Sequence, residues 1–95
     1  MMLTISGVAF TAAPDSDRER GLLGWIALTL NGQLRLDGVT LRRTLEGRIT
    51  LSFPERRDGA GVAHPIVRPL GPEARRNLED QVFRALGLGQ TGVAP

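Results

Sequence analysis

The stretch GLLGWIALTLNGQLRLDGVTLRR, residues 21–43, carries two apolar runs joined by Asn31-Gly32. Both residues of that dipeptide tolerate positive φ, so it predicts a type I′ turn and an antiparallel hairpin. In the first run Leu22, Ile26, Leu28 and Leu30 share one parity, and Leu23, Trp25 and Ala27 share the other. A strand apolar on both sides is expected at the centre of a sheet. In the return run Leu34 and Leu36 share a parity that Val39 and Leu41 do not, and Asp37-Gly38 between them predicts a bulge.

On the N-terminal side, LTISGVAF (3–10) alternates with a change of parity near Gly7, which predicts a first strand carrying a bulge. TAAPDSDRER (11–20) has a proline, dense charge and no large apolar residue, and is expected to be an exposed, mobile loop off the core. On the C-terminal side, Leu45, Glu46 and Gly47 read as a turn into RITLSF (48–53), a strand with Ile49, Leu51 and Phe53 on one side that Pro54 stops. GPEARRNLEDQVFRALG (71–87) is the one clear helix, with Pro72 in the first turn, Gly87 at C′ and a stripe of Ala74, Leu78, Val82, Ala85 and Leu86. Its Arg75, Arg76, Glu79, Asp80 and Arg84 are expected on the opposite face, pairing largely among themselves. Residues 88–95 should fray. These elements predict one α+β domain over residues 1–95, with about four to five antiparallel strands and one C-terminal α-helix.

A chain of 95 residues buries only about 60 to 65% of its unfolded surface. With four aromatic residues in all, the core must be thin and mainly aliphatic, and self-association would thicken it. The absence of cysteine excludes disulfides, thiol catalysis and thiolate metal sites, and fits a reducing compartment. No run approaches the ~20 apolar residues of a membrane span, and no basic n-region precedes an apolar one. A soluble, cytoplasmic protein is expected. All twelve basic residues are arginine, and the net charge is +2. Residues 42–76 hold eight arginines against four acids, a central surplus whose sign suits a phosphate-bearing partner.

The segment SFPERRDGAGVAHPIV (52–67) lies inside that surplus. Arg56 and Arg57 sit on a glycine-bordered loop, near Arg48 and Arg68 in sequence, and guanidinium forks match phosphate oxygens in pairs. Glu55 and Asp58 are close enough to neutralise them locally. His64 is the only histidine; without cysteine no metal-ligand spacing is visible, no nucleophile motif surrounds Ser6, Ser16 or Ser52, and no phosphate loop is present. Its position before Pro65 favours extended geometry and a structural role. No enzyme, cofactor, metal or small-molecule substrate is expected.

The elements and residues together resemble the SpoVG (stage V sporulation protein G, septation regulator) family from about Gly21 to Leu86. The resemblance is carried by IALTLNGQLRLDGVTLRR, by EGRITLSFPERR, by His64-Pro65-Ile66 and by a helix with an early arginine. It implies an antiparallel sheet with a C-terminal helix, and a cytoplasmic homodimer formed partly by strand or segment exchange. It also implies DNA or RNA binding in the regulation of expression or septation, without catalysis. Arg56 and Arg57 match the family's basic pair after the proline, His64, Pro65 and Ile66 match its HPI, and Arg75 or Arg76 matches the basic residue at the helix start. The stretch between Pro54 and His64 is shorter than the family's usual one. The expected phosphate contacts are Arg56 and Arg57, helped by Arg48, Arg68 and Arg76. The alternative is a non-catalytic interaction module whose basic loop docks an acidic protein.

Overall fold

The computed structural model describes residues 3–88. Strand β1 (Ile5–Ala12) leads through a short helix α1 (Asp15–Glu19) into β2 (Leu22–Leu30), β3 (Leu34–Arg43) and β4 (Ile49–Ser52). These four strands form an antiparallel sheet in chain order. Strands β5 (Glu55–Arg57) and β6 (Ala63–Pro65) pair as a separate two-stranded sheet, and α2 (Pro72–Ala85) follows. The fold is α+β. Among the described residues no helix is long and apolar enough to cross a membrane.

The β2–β3 turn has both positive φ values that its type requires, 51° at Asn31 and 67° at Gly32, and Gln33 N–H donates to Leu30 O at 3.0 Å. Strand pairing resumes one residue later than a two-residue loop would give, at Leu30 opposite Leu34. Asn31 also ties the start of β1 to this turn, its Oδ1 accepting from Thr4 N–H and its own N–H donating to Thr4 O, both at 2.8 Å.

Register shifts fall between Ser6 and Ala9 and at Asp37-Gly38, where the parity changes predict them. A third, between Leu22 and Gly24, has no such signal and reverses the parity of β2's first residues. Leu23 therefore packs against the core, where strict alternation would put Leu22. Ile26, Leu28, Val39, Leu41, Ile49 and Leu51 are buried on one face of the sheet against Val82 and Phe83 of α2. Each such side chain contributes roughly 1.5–3 kcal/mol of burial. β2 is an inner strand, as expected, but only one of its apolar faces is covered: Trp25 is 39% exposed on the other.

On α2 the buried stripe is rotated from the expected one, because Phe83 turns into the core and Ala85 stays exposed. The helix ends as its Gly87 predicts: φ there is 76°, Gly87 N–H donates to Arg84 O (3.2 Å) and Leu88 N–H to Phe83 O (2.7 Å). Residues 89–95 of the expected fraying tail lie outside the described residues, whereas Leu88 packs against the core.

Polar side chains of α2 bond both margins of the sheet. At β1, Ile5 N–H donates to Gln81 Oε1 (2.8 Å) and Gln81 Nε2 donates to Leu3 O (2.7 Å). At β4, Leu51 N–H donates to Glu79 Oε2 (3.1 Å), and Arg75 Nη2 donates to Leu51 O. Free backbone groups on edge strands invite pairing with another chain, and here the helix occupies some of them. Arg75 and Glu79 are thus not confined to the solvent face with the other charged residues of α2.

Residues 11–20 depart from the expected mobile loop. β1 continues to Ala12, Ala13 is buried and its N–H donates to Leu23 O (3.0 Å), and α1 follows. The charged residues themselves are exposed, apart from a half-buried Asp17.

Candidate nucleic-acid interface

Arg56 and Arg57 lie on β5, a strand rather than the expected loop, with Arg56 opposite His64 and Arg57 opposite Ala63. The hairpin is short because Pro65 has no N–H to extend the ladder. It is tied to the main body through Pro54, whose carbonyl accepts from Ile66 N–H (3.0 Å) and Val67 N–H (3.3 Å).

Asp58 organises the connection between the two strands. Its Oδ1 accepts from Ala60 N–H (2.9 Å) and Val62 N–H (3.0 Å), while its own N–H donates to Val62 O (3.0 Å). Its Oδ2 accepts from His64 Nε2 at 2.8 Å. A carboxylate can only accept, so Nε2 carries the proton in this pair. The His64 bond first and then the Val62 amide hold the Asp58 carboxyl below its usual range against an opposing effect of desolvation, with lesser lowering from the Ala60 and Gly61 amides.

This inward use of Asp58 leaves the arginine pair turned outward. Arg56 and Arg57 are both exposed. Arg57 Nη1 donates to Gly61 O (2.9 Å), and its Nη2 stands 4.0 Å from Glu55 Oε1, a distant and well-hydrated pair that contributes little. Among the described residues Arg56 enters no ion pair and no side-chain hydrogen bond. His64 is extended within β6, as a residue before proline prefers, and its ring is committed to Asp58.

The remaining three arginines are divided between two places. Arg68 lines a cleft of about 670 Å³ between the sheet's outer face and the hairpin base, together with Thr40, Arg42, Ser52, Glu55 and Arg75. Arg48 and Arg76 line a different hollow of about 260 Å³, with Glu79 and Asp80 beside them. Arg42 and Arg75 are additions that the sequence reading did not name for this role. Strand parity held the signal for Arg42, since Leu41 points into the core and its neighbour must point out. Arg75 had no such signal: it is anchored by Leu51 O, lies 3.7 Å from Glu79 and sits over the Phe53 ring. No protein-family model, curated protein or solved structure matches this chain.

Proposed function

We propose that this chain is a nucleic-acid-binding regulatory protein, cytoplasmic and without catalytic activity, that acts as a homodimer. The observation that carries the reading is the β5–β6 hairpin, which presents Arg56 and Arg57 to solvent while Asp58 is engaged by His64 and backbone amides. Successive strand residues face opposite sides, so the hairpin offers one exposed guanidinium on each face, Arg56 beside His64 and Arg57 beside Ala63. Each guanidinium suits phosphate oxygens. Arg68 extends the contact from the adjoining cleft, and Arg48 and Arg76 form a second, weaker patch tempered by Glu79 and Asp80. The resemblance to the SpoVG family supports the same role, because Pro54, Arg56, Arg57, His64, Pro65 and Ile66, which carry it, gather at this hairpin and its base. A regulator of expression or septation is the corresponding process. Two-fold symmetry would double the modest +2 charge into one surface.

The test is a salt titration of binding to duplex DNA. Two phosphate contacts per subunit give a log–log slope of about −3.6 for the dimer, at ~−0.9 per phosphate neutralised. Arg56→Ala with Arg57→Ala should flatten that slope while leaving the melting temperature unchanged; an unaltered slope moves the contact elsewhere. No mobility shift with mixed DNA and RNA at micromolar protein near physiological salt would overturn the reading in favour of an acidic protein partner. Sedimentation as a single chain at that concentration would remove the dimer.

A further inference from the structure

The sheet face turned away from α2 holds a surface that the arginine hairpin leaves unexplained. Strand register places Thr11, Trp25, Thr40 and Ser52 in one row across β1, β2, β3 and β4. Trp25, the chain's only tryptophan, stands 39% exposed in that row with a short hydroxyl side chain on either side. Arg42, opposite Thr50, belongs to the same face one row further along. Thr40, Ser52 and Arg42 also line the 670 Å³ cleft that contains Arg68. The surface therefore runs from an indole, over hydroxyls, to guanidiniums. Adjacent strands lie about 4.8 Å apart, so Trp25 and Ser52 are separated by roughly 10 Å.

A flat aromatic ring beside hydroxyls and arginines fits a ligand that has π-faces and phosphates together. Among the described residues Arg42 and Arg68 enter no ion pair or side-chain hydrogen bond. The one carboxylate on the cleft lining, Glu55, faces Arg57. Bases inside a duplex are stacked on one another and closed to the indole, whereas those of a single strand are open to it. A second copy of the chain suits this face poorly, because it would bring Arg42 and Arg68 of one copy towards a surface of the same sign.

We infer that the open sheet face is a binding site for a single-stranded polynucleotide, with a base stacked on Trp25 and the adjoining phosphates held by Arg42 and Arg68. This rests on the nucleic-acid reading above and assigns it a strand state. Because Trp25 is the only indole, emission from the native chain reports on the site directly. Unstructured DNA and RNA oligonucleotides should quench it, while a duplex of equal length and heparin, which binds by charge alone, should not. Trp25→Leu should weaken single-strand binding about tenfold, the scale of losing one base–aromatic stack, and Trp25→Phe should restore most of it. Heparin affinity should be unchanged in both. Arg42→Gln supplies an independent variant, expected to weaken single-strand binding while preserving the quench at saturation.

Single-strand binding with no change in emission, or with full affinity in Trp25→Leu or Arg42→Gln, would overturn this site and leave the Arg56 and Arg57 reading standing. An indole shielded from iodide in the free protein would overturn it as well, in favour of a covering copy. A mobility shift with no polynucleotide of any kind would overturn both.

Discussion

Asp58 shows how one carboxylate can shape a basic surface without adding to it. The folded hairpin holds this group below 3.8, the usual aspartate value, so its contribution is complete above that pH and is lost as pH falls through the lower folded-state value. Protection of the Ala60 and Val62 amides against hydrogen exchange should therefore begin to decline only below pH 3.8. In Asp58→Ala, which has no side-chain acceptor, it should be weak at every pH, and protection equal to the parent's would remove Asp58 from this role. Gly24 is decisive for a different reason. A Cβ there would lie 2.3 Å from Thr11 O and 2.6 Å from the Phe10 ring, so β1 could not keep its place. Gly24→Ala should cost about 2–3 kcal/mol in urea unfolding, by overpacking. Nothing in the sequence marks either dependence: Gly24 reads as a gap in an apolar run, and Asp58 as a neutraliser of its arginine neighbours. The constraint on Gly24 comes from β1 across the sheet, and that on Asp58 from the turn and partner strand of its own hairpin.

Among elements, those specified by local chemistry were legible. Asn31-Gly32, the bulges at Gly7 and Asp37-Gly38, and the Pro72 and Gly87 boundaries of α2 all follow from what one or two residues allow their own backbone to do. Elements that depend on a partner were not. The β2 register shift at Leu23 arises between strands, and α1 is five residues long, too short to show helical periodicity. The sequence of β5 looks like loop because the partner it pairs with, β6, lies beyond a turn folded by Asp58. The rotation of α2 that buries Phe83 in place of Ala85 likewise depends on the sheet beneath it. The C-terminal boundary of α2 has a direct test. Gly87→Ala, at φ 76°, should lower stability by about 1 kcal/mol in thermal or urea unfolding, since side chains rarely adopt that conformation.

At the scale of the whole chain, charge statistics located the basic region between residues 42 and 76 but could not divide it. Folding sends Arg56 and Arg57 to a hairpin, Arg42 and Arg68 to a cleft, Arg48 and Arg76 to a hollow shared with acids, and Arg75 to the margin of β4. That last placement belongs to a larger arrangement in which α2 covers the core and bonds both sides of the sheet. Glu79→Ala would leave Leu51 N–H without its acceptor and should cost about 1–3 kcal/mol, measured by urea unfolding. Light scattering of the same variant should show increased aggregation as the β4 margin opens. A variant as stable and as soluble as the parent would show that water replaces the carboxylate without loss.

Since a single helix clasps both outermost strands, the two clasps share a fate. Unbuckling α2 frees Leu3 and Ile5 on one flank and Leu51 on the other in the same event. Any trading of strands between copies at these flanks has to wait for that event, so its tempo is set inside one chain before a second arrives. Mixing two isotopically distinct preparations should then give an exchange rate independent of total concentration, and faster in Gln81→Ala.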